Sequence, residues 1–155
     1  MEKALSGVLL RDHTQLYVGF QLPKGPNSNV SDGPNPTAMG EIVSLPINGR
    51  LFAYDRKAGD LRWASDLRYQ MIILERFEEM PILLCSAMTT RGTGGPNGDV
   101  AVNATITLDK KTGKKLYKKE VLNVGDQYHT LQVNPRAGTI DFVGVQSKVR
   151  FFMPK

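Results

Sequence analysis

Three copies of one short pattern constrain this chain more than any other feature of it. "LFAYDRKAGDLRWASDL" at 51–67 aligns with "TITLDKKTGKKLYKKEV" at 105–121 at a constant offset of 54 residues. Asp55 falls on Asp109, Gly59 on Gly113 and Trp63 on Tyr117. A partial third copy, "NPRAGTIDF", puts Asn134, Gly138 and Phe142 in the same three places. Each copy holds an Asx residue, a glycine four residues on, and a ring four residues beyond that. Self-similarity of this kind is the mark of stacked supersecondary units.

The physical content of the pattern is a strand, a tight corner and a second strand. An Asx side chain accepts hydrogen bonds from backbone amides just ahead of it and so starts a turn. Glycine adopts positive φ without a Cβ penalty and closes a short hairpin loop. Strand alternation puts Leu61 on the same face as Trp63, and Ile140 on the same face as Phe142. In the second copy Lys115 stands beside Tyr117, which predicts a more exposed strand.

"TLDKKTGKKLY" and "AYDRKAGDLRW" resemble the "ALDxxTGxxxW"-like segment carried by each blade of quinoprotein-type (PQQ-type) β-propellers. The similarity covers residues 41 to about 145. It implies that Asp55, Gly59, Trp63, Asp109, Gly113, Tyr117, Asn134, Gly138 and Phe142 are architecture, with each ring packing one blade against its neighbour. It also implies a bacterial, extracytoplasmic setting. The spacing of 54 exceeds the ~40–45 residues usual for a four-stranded blade, and an inserted loop around 89–99 accounts for the difference.

The expected fold is all-β, built of antiparallel four-stranded blades of propeller type. "YQMIILERF" (69–77), "PILLCSAM" (81–88), "VNATITL" (102–108) and 114–121 form one complete blade. "PILLCSAM" is continuously apolar, as a strand buried on both faces should be. "VNATITL" alternates apolar and polar. As one β domain, 1–155 divides into an N-terminal hairpin with a Pro/Gly/Asn-rich loop (1–40), a partial blade (41–67), the full blade (68–122) and a second partial blade (123–155) whose strands lie at 128–134, 139–145 and 148–153. The N-terminal hairpin turns between Asp12 and Gln15. That makes about two and a half to three blades, whereas a closed propeller needs typically four to eight. The resemblance therefore implies a section of a longer propeller protein or assembly.

Charge and chemistry narrow the function. The formal net charge is +5, so polyanions are admissible partners. Six lysines of "DKKTGKKLYKKE", namely Lys110, Lys111, Lys114, Lys115, Lys118 and Lys119, are the candidate grip, with Arg91 of "TTRGTGGPNGD" as a further handle. The alternative is that lysines on an outer strand discourage edge-to-edge pairing. Nucleic acid is not expected, since only Tyr117 lies nearby for base stacking. The glycine-rich loop lacks P-loop spacing, and no G-x-S-x-G elbow is present. With one cysteine, Cys85, and two scattered histidines, no metal site is read and no cofactor is assigned. Cys85 reads as a small buried hydrophobe. No apolar run reaches the ~18 residues of a membrane span.

These readings predict a non-catalytic scaffold or protein–protein interaction module, whose partner is another protein or the remainder of a larger propeller. Polyanion or carbohydrate binding through the lysine hairpin is the alternative, and a piece of a quinone-dependent oxidoreductase is a third.

Overall fold

The computed structural model describes residues 6–22, 37–39, 42–92, 99–122, 128–144 and 148–153. Those residues form strands and turns, with no helix among them. Three antiparallel sheets result, none of them closed.

Sheet A joins β1 (Ser6–Arg11), β2 (Gln15–Gln21), β5 (Arg50–Asp55) and β6 (Leu61–Asp66) in that order. Sheet B takes in β3 (Thr37–Met39) and β4 (Ile42–Ile47), and continues with β7 (Gln70–Ile73), β8 (Ile82–Gly92), β9 (Asp99–Asp109) and β10 (Lys115–Leu122). Its spatial order is β10-β9-β8-β7-β4-β3, so β7 to β10 make a four-stranded meander. Sheet C is the meander β11 (Tyr128–Asn134), β12 (Thr139–Gly144) and β13 (Lys148–Phe152).

Several boundaries differ from those read off the sequence. The segment 41–67 is not one unit, because β4 pairs with β7 while β5 pairs with β2. The N-terminal hairpin and the first corner therefore share sheet A, a long-range pairing that local pattern does not encode. The glycine-rich loop is shorter than expected, because β8 and β9 keep pairing out to Gly92 opposite Asp99. Thr37–Met39, inside the segment expected to be loop, is a short strand on β4. Residues 23–36 and 93–98 of those loops lie outside the described residues.

Sheet B is the middle layer, and its strands show it residue by residue. Leu83 and Cys85 of β8 join Tyr17, Leu51, Ala53 and Trp63 of sheet A in one core. Ile82 and Leu84 of the same strand join Ile140, Phe142, Val149 and Phe151 of sheet C in a second. Adjacent residues point to opposite faces of a strand, so the continuous apolar run feeds two cores at once. Ile72 and Ile73 of β7 divide in the same way.

Burial pushes the Cys85 thiol far above its ordinary range, because no neighbour offsets the lost solvation of a thiolate. Native protein should therefore leave Cys85 unmodified by a thiol-directed disulfide reagent at neutral pH, and denaturant should expose one reactive thiol. Rapid stoichiometric labelling of the folded chain would contradict this two-core packing.

Candidate interaction surfaces

The first two corners are built alike, and the third differs in that the Gly138 amide donates to the Pro135 carbonyl at 3.3 Å. Asp55 Oδ1 accepts the amides of Lys57 (2.9 Å) and Ala58 (2.8 Å), and the Gly59 amide donates to the Asp55 carbonyl at 2.9 Å. Asp109 Oδ1 accepts the Thr112 amide at 2.8 Å, and the Gly113 amide donates to the Asp109 carbonyl at 2.8 Å. Asn134 Oδ1 accepts the Ala137 amide at 3.0 Å. Gly59, Gly113 and Gly138 have φ of 77°, 69° and 63°, the left-handed region that an L side chain enters at a cost. Asp55 also pairs with Arg62 at 2.6 Å. The Ala58 amide and the Arg62 guanidinium hold its carboxyl down at about 2.

The likeness extends to an irregularity in the ladder. Trp63 pairs with Ala53 and Leu61 with Tyr54, so Arg62 is an extra residue in β6. Fifty-four positions on, Tyr117 pairs with Thr107 and Lys115 with Leu108, so Leu116 is the extra residue in β10. The bulge in β6 separates Leu61 from Trp63, which corrects their expected placement on one face. Trp63 is buried, whereas Leu61 is 54% exposed. In the third copy the ladder runs without interruption from Thr139 to Val143, and Phe142 pairs with Leu131. A one-residue change of register sends a side chain to the other face. Trp63 thus faces sheet B and Tyr117 reaches Phe151 of sheet C, with ring centroids 5.1 Å apart. Phe142 instead faces back into the core shared with sheet B.

Trp63 seals the contact between sheets A and B. Its ring lies so close over Gly113 that a Cβ there would stand 2.6 Å from Cδ2. Its indole N–H donates to the Lys110 carbonyl at 2.7 Å.

Lys110 does not belong to the surface grip proposed from the sequence: it is 4% exposed. Its ammonium donates to the Phe77 carbonyl, lies 3.9 Å from the centroid of the Phe77 ring and 3.4 Å from Asp12 Oδ2. Asp12, in the β1–β2 turn, also accepts the Tyr17 hydroxyl (2.7 Å) and the amides of Thr14 (2.8 Å) and Gln15 (2.9 Å). Burial raises the Asp12 carboxyl, but those donors and the Lys110 charge outweigh it and hold the group below its ordinary value. Burial lowers the Lys110 ammonium against the pull of Asp12. The pair is a cross-sheet tie between the second corner and the N-terminal hairpin, and the sequence signal for it is faint, since Asp12 and Lys110 are nearly a hundred residues apart.

The other lysines are divided. Lys111, Lys114, Lys115 and Lys118 are exposed around the corner and along β10, an edge strand. The side chains of Lys119 and Arg91 lie outside those described. Among the described residues, no group of three or more His, Cys, Asp and Glu side chains could hold a metal ion. An open cleft of about 600 Å³ runs between β1 and residues 74–79, floored by Leu10, Leu74 and Phe77 and rimmed by His13, Arg76 and Glu78.

The outer face of sheet A carries a run of apolar side chains among the described residues. The registers line up Leu9, Val18, Phe52 and Ala64 in one row and Arg11, Leu16, Tyr54 and Leu61 in the next, with Phe20 opposite Gly7 beyond them. Leu9 is 69% exposed and Phe20 42%, and the Phe20 and Phe52 rings meet edge-on at 5.8 Å. The outer face of sheet C combines an ion-pair cluster with one exposed ring, Phe152, which is 75% exposed. There Asp141 lies beside Gln132 and Arg150 and binds Arg150 at 2.6 Å and Lys148 at 2.7 Å.

Gly113→Ala should destabilise the chain by about 2–4 kcal/mol, combining the left-handed penalty with overpacking against Trp63. Gly59→Ala should cost only about 1 kcal/mol, because an added methyl group there would meet no described atom within 4 Å. Equal losses in urea denaturation would argue against the ring-on-corner contact. Asp12→Asn should cost about 3 kcal/mol by stranding a buried ammonium, and adding Lys110→Met should restore part of it. Since the folded Asp12 carboxyl is depressed, its contribution is full above the unfolded value near 3.8 and is lost as pH falls through the folded one. The acid limb of stability against pH should accordingly be shallower in Asp12→Asn.

No protein-family model matches the chain, and no curated protein matches it.

Proposed function

We propose that this chain is a non-catalytic scaffold of β-propeller type that works by holding another protein against its stacked sheets, as part of a larger protein or assembly. The observation that carries the reading is the apolar outer face of sheet A. A sheet with one face in water alternates apolar and polar residues, whereas one covered on both faces is apolar throughout. The middle of sheet A's outer face follows the second rule, with Arg11, Arg50 and Asp66 at its margins, and adjoining exposed apolar side chains such as Leu9, Phe20 and Leu61 mark a contact site. Support for the propeller type comes from the Asx–glycine–ring corner, which joins sheet A to sheet B as the resemblance implies blades should be joined.

A second reading, polyanion binding, is favoured by the four exposed lysines around the second corner. Edge protection explains the same residues without a ligand, because β10 is the outermost strand of sheet B.

One comparison tests both. Phe20→Lys with Leu61→Lys should leave the far-ultraviolet spectrum and melting transition near those of the native chain, and should abolish retention of proteins from the source cell on the immobilised chain. Gln at 111, 114, 115 and 118 should leave that retention intact, shift stability by less than about 0.5 kcal/mol, and increase aggregation. The polyanion reading takes over if instead the native chain binds immobilised heparin in a salt-sensitive way that the glutamine variant loses.

A further inference from the structure

Sheet A and the β7–β10 meander share one four-stranded plan, and they differ at one edge. At the 54-residue offset β5 and β6 correspond to β9 and β10. β2 lies on β5 as β8 lies on β9, and β1 lies on β2 as β7 lies on β8. The far side of β7 is paired with β4, which carries β3 beyond it. No described strand pairs with the far side of β1. The cleft floored by Leu10, Leu74 and Phe77 lies along that vacant edge. β1 is also the least protected edge among the described strands. Shortness, a bulge or charged side chains keep foreign strands off a sheet edge. β3 has three residues, β6, β10 and β11 are bulged, and β13 presents Lys148 and Arg150. β1 runs for six residues in unbroken register, and its one charge, Arg11, stands at its end.

Going beyond the scaffold reading, we infer that the free edge of β1 is a strand-addition site, where an extended segment of a partner protein pairs antiparallel with β1 as β4 pairs with β7. The backbone offers the bonds. The Asp12 amide donates across the hairpin to the Gln15 carbonyl at 3.0 Å, and successive amides of a strand point to opposite sides. The amides and carbonyls of Gly7, Leu9 and Arg11 therefore face away from β2. The side chains fix the chemistry of the segment. Residues opposite Val8 and Leu10 share the inner face of sheet A with them and enter the cleft against Leu74 and Phe77, so they have to be apolar. A residue opposite Arg11 lies on the outer face, where Arg11 is exposed and makes no ion pair among the described residues. An acidic residue fits there. Across the cleft, Arg76 is already paired with Glu79 at 3.0 Å. The occupant is thus a partner segment with an acidic residue followed by apolar residues in alternation. The β1 strand of a second copy, SGVLLR, has no acidic residue to place opposite Arg11.

The probe is the peptide acetyl-Asp-Val-Thr-Val-Thr-Val-amide, titrated into the intact, isotope-labelled protein and followed by NMR and amide hydrogen exchange. Saturable shifts are expected along β1, with exchange at Gly7, Leu9 and Arg11 slowed about tenfold or more. Val8 and Leu10, whose amides face β2, should change little. In antiparallel pairing the Thr amides of the peptide point at β1 and the Val amides point away. N-methylation of both Thr residues should therefore weaken binding about tenfold or more, whereas N-methylation of the Val residues between them and the Asp should leave it within about threefold. No saturable shift, equal loss from both methylations, or shifts without slowed exchange overturns the assignment. Leu9→Pro removes an outward amide that β2 does not use, so it should lose the peptide and keep the native melting transition. If that variant unfolds, the two methylated peptides still decide the matter. Sedimentation of the chain alone supplies the last arm, and a monomer is the expected result. A concentration-dependent dimer with slowed exchange at Gly7, Leu9 and Arg11 gives the edge to a second copy and sinks the partner strand. The scaffold reading is tested at Phe20 and Leu61 and survives each of these failures.

Discussion

The contact between Trp63 and the Gly113 corner is the constraint on which the rest of the molecule turns. It is made possible by an absence, since only a residue without a Cβ leaves room for an indole ring at that distance. It is made directional by a hydrogen bond, because the indole N–H needs a buried acceptor and finds the Lys110 carbonyl. The Lys110 side chain then reaches the other way, into sheet A, where Asp12 meets it. Two polar ties and a ring therefore fix one relative position for two sheets whose apolar faces alone would tolerate sliding.

The ion pair within that arrangement is better understood as a specifying device than as a source of stability. Removing two charges from water costs several kcal/mol per ion, and their attraction repays this only when every remaining donor and acceptor is served. Asp12 is well served, by the Tyr17 hydroxyl and two backbone amides. Lys110 gains the Phe77 carbonyl and ring face. Sheets mated in any other register would leave these groups buried without partners, so the wrong arrangements are penalised more than the right one is rewarded.

Much of this was legible in the residues. The corner positions, the β8 run that serves two cores, the β1–β2 hairpin and the three strands of sheet C follow from turn chemistry and alternation, which are local. What escaped was non-local or depended on a single residue. The union of β2 with β5 spans the segment 22–49, and nothing in either strand names the other. Lys110 looks in sequence like its five neighbours in a basic run; only its place immediately after the corner aspartate, beneath Trp63, buries it. The bulges at Arg62 and Leu116 have no composition signature, yet they decide which way a ring points.

That last feature bears on how the rings of such an architecture are aimed. Where a ring faces is set by counting along one strand, independently of how oily or charged the neighbouring surfaces are. Loss of the extra residue at Arg62 or Leu116 would turn the ring beyond it to the other face of its strand. The facing of each ring is thus written as punctuation in the backbone, and the chemistry of the surface it meets has only to agree with it.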